Sequence, residues 1–241
     1  MPTTWHDGIV RKIDTIAPNV RSFRIEVPEL PSFDFQAGQF VTMDLPIGEK
    51  RLQRWRSYSI ANAPDGSNQL ELCVVNSAEG LGSKYLFEEI HQGSMLKFKG
   101  PDGGFVLPDN IDKDLVFVCT GTGIAPFRSM IVDLKNSGKA HHNIHMIFGT
   151  REESGILYRS EFEEFARTMP GFQYDVALSR QDDWSGRKGH VHSIYLEQYA
   201  VPRPDVSFYL CGWSSMIDET VANLILQLGY DRSQVHYELY G

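Results

Sequence analysis

Cysteine is scarce: Cys73, Cys119 and Cys211 are the only three in 241 residues, widely spaced and with no Cys-x-x-Cys. That odd, scattered set argues against a disulfide framework, a zinc site or a built-in iron–sulfur cluster. Long apolar runs are also missing. None approaches the roughly 20 residues that span a bilayer. The opening Met1-Pro2-Thr3-Thr4-Trp5-His6-Asp7 lacks the charged-then-apolar pattern of a secretory signal. Positive charge is in deficit, with 23 Lys and Arg against 31 Asp and Glu, a formal −8. Such a balance does not suit a general binder of nucleic acid or membrane surfaces. The eight histidines form no ligand set: His141, His142 and His145 precede a strand and are expected to be exposed, and His190 and His192 flank a helix start. The expectation is a cytoplasmic chain with no metal, no nucleic-acid partner and no membrane insertion.

What is present divides into two halves. Residues 1–105 hold short β-rich runs at Gly8–Ile16, Arg21–Val27, Gln39–Asp44, Arg54–Ile60, Leu70–Asn76 and Met95–Lys99, broken by Gly, Pro and Asp. This spacing suggests an antiparallel barrel or sandwich, interrupted by one helix at Lys84–Ile90. Residues 106–241 alternate strand and helix. The strands are Leu115–Cys119, Ile144–Phe148, Phe172–Leu178, Ser207–Cys211 and Val235–Tyr240; the helices are Phe127–Asn136, Arg159–Thr168, Val191–Tyr199 and Met216–Leu228. Alternation of this kind predicts a doubly wound α/β domain with a five-stranded parallel sheet.

The sharpest local signal is Cys119-Thr120-Gly121-Thr122-Gly123-Ile124-Ala125-Pro126, which joins an apolar strand to a helix. In that context glycines let the backbone turn and approach a pyrophosphate, which the helix N-terminus favours. Pro126 near the first helical position removes no needed donor. A tight turn that binds nothing is the plainer alternative. The predicted strands also end in polar or reactive residues: Thr120, Thr150-Arg151, Ser179-Arg180, Cys211-Gly212 and Tyr240. Ligands of open α/β sheets lie beyond such ends.

In the first half, Arg54-Trp55-Arg56-Ser57-Tyr58-Ser59-Ile60 reads as a strand with Arg56 and Tyr58 on one face. A cation beside an aromatic suits a phosphate and a flat ring; an exposed cross-strand pair would look the same. Arg-x-Tyr-Ser followed by Gly-Thr-Gly-Ile-Ala-Pro resembles the ferredoxin–NADP reductase family. The resemblance extends through Gly38-Gln39-Phe40, Gly80-Leu81-Gly82-Ser83, Gly100-Pro101-Asp102-Gly103-Gly104-Phe105, Cys211-Gly212 and the plant-type-like ending Glu238-Leu239-Tyr240, here followed by one extra Gly241.

The resemblance implies a six-stranded antiparallel β-barrel that binds FAD, then an α/β domain that binds NADP, with NAD as the alternative. Arg56 would hold the flavin pyrophosphate, Tyr58 would pack on the isoalloxazine, and Ser59 would sit near N5. Gly82 and Ser83 would meet the pyrophosphate, Ser83 serving as a helix N-cap. Gly121, Thr122, Gly123, Pro126, Thr150, Arg151, Ser179 and Arg180 would line the nicotinamide-nucleotide site. Cys211 and Glu238 would shape the nicotinamide pocket, with Tyr240 stacked on the flavin. Ser179-Arg180, with Arg187 and Lys188 within reach, favours NADPH through its 2′-phosphate. The implied activity is electron transfer between NADPH and a separate carrier, ferredoxin or flavodoxin. Lys50, Arg51 and Arg54 are candidate docking residues for it. The alternatives are an NADH-dependent reductase component of an oxygenase or desaturase system, and a non-catalytic flavin module.

Overall fold

Alternation of apolar and polar residues in the first hundred positions folds as period two requires. The structure, a computed structural model, describes residues 4–239. Strands β1 (Trp5–Ala17), β2 (Val20–Glu26), β3 (Phe40–Asp44), β4 (Trp55–Ser59), β5 (Gln69–Val75) and β6 (Met95–Asp102) pair antiparallel in the order β4-β3-β6-β1-β2-β5. An antiparallel bridge, Ile60↔Leu72, and the bond from Ala61 N to Glu71 O (2.8 Å) tie the two edges together. The inward residues Val10, Phe23, Ile25, Val41, Met43, Leu70, Leu72 and Phe98 make the core. Helix α1 (Arg51–Arg54) precedes β4, and α2 (Leu81–Glu88) lies between β5 and β6.

Strands β7 (Asp114–Thr120), β8 (Ile144–Thr150), β9 (Phe172–Leu178), β10 (Arg187–Lys188), β11 (Val206–Gly212) and β12 (Val235–Leu239) form an all-parallel sheet in the order β10-β9-β8-β7-β11-β12. Strand β11 is buried throughout, and β7 and β8 are buried except for their final threonines, as expected of strands covered on both faces. Helices α3 (Ile124–Ser137), α4 (Arg159–Thr168), α5 (His192–Gln198) and α6 (Ser214–Ala222) supply the crossovers. The winding direction reverses between β7 and β11, so this is the topological switch point.

By its contacts the chain divides into two units. One holds the residues up to Leu107 together with Ala125–Asp133; the other holds Pro108–Ile124 and the residues from Leu134 onward. The middle of α3 therefore belongs with the barrel residues.

Several details correct the sequence expectations. The parallel sheet has six strands, because the two-residue β10 is too short to carry any period. Helix α2 begins at Leu81 and α3 at Ile124, each three residues before its predicted start. Gly138 does end α3, in the left-handed conformation at φ +62°. His145 is buried, not exposed. One ring nitrogen lies 2.9 Å from the Tyr199 hydroxyl and the other 3.0 Å from Asp175 Oδ2.

Candidate functional site

In the barrel unit, the register Met43↔Arg56 and Val41↔Tyr58 puts Arg56 and Tyr58 on one face of β4. The Arg56 stem lies over the first turn of α2. A Cβ on Gly82 would come within 2.8 Å of Arg56 Cγ, so only glycine admits the cation there. The first-turn amides of α2 have no helical acceptor, and the dipole adds positive potential beside that guanidinium. Arg56 Nη1 donates to Trp55 O at 2.7 Å, which anchors the side chain. The predicted cap is different. Gly80 occupies the N-cap position and Ser83 the third helical position. Ser83 Oγ accepts from Ser77 N (3.0 Å) and donates to Gly80 O (2.9 Å), bracing the loop that enters α2.

Tyr58 packs against the barrel core. Burial pushes its hydroxyl up to about 12, with Arg56 pulling the other way. It is therefore a protonated hydrogen-bond donor at neutral pH. Ser59 is buried and ends β4 opposite Phe40.

In the second unit, Gly121–Gly123 forms one 3-10 turn between β7 and α3. Its two glycines are not equivalent. Gly121 takes φ +53°, and a Cβ there would meet nothing within 4 Å. At Gly123 a Cβ would overlap the Cys211 carbonyl and lie 2.6 Å from Gly212 Cα. Gly212 in turn, at φ +141°, leaves room for Thr120 Oγ1, which accepts from Trp213 N at 3.3 Å. The bare Gly123 thus seats β7 against β11, and Gly121 alone leaves open backbone. Pro126 is buried at the third position of α3. Strand register places Cys211 beside Cys119 on one side and beside the half-buried Glu238 on the other. Tyr240 and Gly241 lie outside the described residues.

The ends of β8 and β9 converge. Ser179 N donates to Thr150 O (3.1 Å) and Arg180 N to Arg151 O (2.8 Å). Arg151 and Arg180 are exposed, and neither forms an ion pair with a described residue. Arg187 and Lys188, expected within reach of the same ligand, are engaged elsewhere. Arg187 makes a two-pronged pair with Glu197 (2.6 and 3.1 Å), and Lys188 Nζ donates to Asp182 O.

The basic cluster also changes membership. Arg54 is held by both Asp44 oxygens (2.7 and 2.9 Å), so it is not a free charge. The strand register instead brings Lys99 over the Trp55 ring (4.5 Å) and Lys97 over Trp5 (5.9 Å), with Arg51 also over Trp55 (4.8 Å). Trp5 and Trp55 meet edge to face at 5.4 Å. The two lysines escaped the sequence reading because only the pairing of β6 with β1 and β3 places them there. No helix among the described residues is long and apolar enough to cross a membrane.

Comparison with known proteins finds a domain family for each part of the chain. Residues 7–107 match the oxidoreductase FAD-binding domain, and residues 117–222 match the oxidoreductase NAD-binding domain. The chain is 36% identical over 231 residues to ferredoxin–NADP reductase B of Sorangium cellulosum, covering 93% of each. It is 28% identical to the phenol hydroxylase P5 protein of Acinetobacter pittii, covering 97% of this chain and 65% of that one. A ferredoxin NADP+ reductase from Neisseria gonorrhoeae, solved with bound FAD and NADP, is similar with a TM-score of 0.81 at 25% identity, covering 97% of this chain and 98% of that one. An Amycolatopsis cytochrome P450 reductase gives 0.87 at 25% identity, covering 99% and 70%. With an FAD-binding unit, an NAD-binding unit and a relative alike over nearly its whole length, the chain belongs to the ferredoxin–NADP reductase family of flavin-dependent oxidoreductases.

Proposed function

We propose that this enzyme passes electrons between NADPH and a separate one-electron protein carrier, a ferredoxin or flavodoxin. Bound FAD would supply the chemistry that converts a two-electron hydride into single electrons. The protein's part is placement. Arg56 and the α2 amides would bind the FAD pyrophosphate, Tyr58 would back the ring system, and Ser59 would lie near its N5. Gly121, Thr122 and the start of α3 would receive the nucleotide pyrophosphate. Cys211, Glu238 and Tyr240 would shape the nicotinamide pocket.

The observation that carries the NADPH assignment is the pair of guanidiniums at Arg151 and Arg180. They sit on adjacent strand ends, and among the described residues no carboxylate is bound to either. A dianionic 2′-phosphate would satisfy both, and Ser179 offers a hydroxyl beside them. Asp182 and Asp183, exposed on the same loop, favour the second reading, an NADH-dependent reductase component. Kinetics of the Arg151→Ala and Arg180→Ala variants with one dye acceptor separate the two. Loss of a charge-assisted bond should raise KM for NADPH about tenfold or more, with little change for NADH. Equal effects on both nucleotides would reject the NADPH assignment.

For the carrier, Arg51, Lys97 and Lys99 around two indoles, with Lys50 next in sequence to Arg51, give a basic face on a chain that is acidic overall. Such a face would steer an acidic partner.

A further inference from the structure

Gly38-Gln39-Phe40, Gly103-Gly104-Phe105 and the α3 segment Phe127-Arg128-Ser129-Met130 have no proposed cofactor role. Within the barrel unit they meet at one place, the exit of the flavin strand. Beyond Ser59 the chain leaves β4 through Ile60, Ala61 and Asn62. Ser129, 0% exposed, donates from Oγ to Asn62 O at 2.6 Å. Arg128 Nη1 donates to Ala61 O at 2.9 Å and lies 3.4 Å from Glu71 Oε2. The buried Glu71 accepts from Ser22 Oγ at 2.7 Å, and its amide donates to Asn62 Oδ1 at 2.7 Å. On the other side, Ile60 N donates to Gln39 O at 3.0 Å. Phe127 packs on Phe105 with centroids 5.8 Å apart. At Gly38, φ +102°, the methyl of Met130 and the Phe105 carbonyl fill the space that a Cβ would need.

Apolar packing alone would bury this helical face without fixing the carbonyl directions of Ala61 and Asn62. Directional bonds in a low-dielectric interior do fix them. We infer that Arg128 and Ser129 are positioning residues that act through Ala61 and Asn62 to hold Ser59 in place. The inference rests on the proposed placement of Ser59 near flavin N5. A misplacement of about an ångström at a reacting centre can cost up to about a hundredfold in rate.

The test uses the FAD-loaded full chain and the variants Ser129→Ala, Arg128→Lys, Ser59→Ala and Ser59→Ala/Ser129→Ala. It reads the flavin visible circular dichroism, NADPH affinity and the single-turnover rate of flavin reduction. Ser129→Ala should alter the visible dichroism and slow reduction about tenfold, with NADPH affinity unchanged. Arg128→Lys retains the cation opposite Glu71 and should lose less. The double variant should be no slower than Ser59→Ala alone, because one relay cannot be broken twice. A Ser129→Ala protein that melts earlier but keeps the wild-type rate and dichroism would show a purely structural role and overturn the inference. So would a deficit fully additive with that of Ser59→Ala. A Ser59→Ala rate equal to wild type would instead refute the placement of Ser59, and the relay with it.

Discussion

Residues of one type do different work in this chain, and their surroundings decide which. Gly121 and Gly123 share a turn, yet one faces open space with a positive φ and the other presses on the Cys211 carbonyl. Gly121→Ala should cost about 1 kcal/mol of left-handed strain, read as a small drop in Tm, with a larger loss of nucleotide affinity. Gly123→Ala must part β7 from β11 and should cost about 3 kcal/mol, the upper end of overpacking. If the two Tm losses prove equal, the interlock is wrong. The glycine pair is legible in the sequence; the difference between its members is not, since Cys211 is remote along the chain. Charged residues show the same limit. Arg54 and Arg187 read like Arg151 and Arg180 until Asp44 and Glu197 are found holding the first two.

At the scale of elements, the long strands and helices follow from hydrophobic period, while ends and short pieces do not. Helix α6 gives way to a π-helical segment over Asn223–Gln227, which a 3.6-residue period reads as unbroken helix. A polar network binds β8, β9 and the end of α5 together. Asp175 accepts from His145 and from the side-chain amides of Gln173 and Gln198. The hydrogen bond with His145, reinforced by the two amides and opposed by burial, lowers the Asp175 carboxyl from 3.8 to about 2. The folded state thus favours the carboxylate. Its contribution to stability is complete above pH 3.8 and disappears as the pH falls toward about 2. Asp175→Asn should therefore flatten the fall of Tm across that window while lowering Tm at neutral pH. A wild-type acid slope in the variant would exclude Asp175 as its source.

For the whole molecule, charge is distributed unevenly. Residues 1–105 carry 11 basic and 13 acidic groups, net −2, and residues 106–241 carry 12 and 18, net −6, which sum to −8. On the nearly neutral half, Lys97, Lys99 and Arg51 gather over two indoles. Lys97→Gln/Lys99→Gln should slow reduction of an acidic carrier about tenfold at low ionic strength, and the difference should fade above about 0.15 M salt. Reduction of an uncharged quinone should be unchanged. A salt-independent carrier rate in the unmodified protein would exclude steering by this face.

The order of barrel and α/β unit, the strand that carries Arg56–Ser59 and the loop at Gly121–Gly123 were determined by the sequence alone. Each is written in neighbouring residues, as alternation, periodicity or glycine spacing. Only the tertiary structure decided which arginines are held in ion pairs, which glycine is a packing joint, and that the middle of α3 groups with the barrel residues. Those outcomes depend on contacts such as Gly123 with Cys211 and Ser129 with Asn62. Their partners lie far apart along the chain, and no local pattern encodes a distance that folding alone closes.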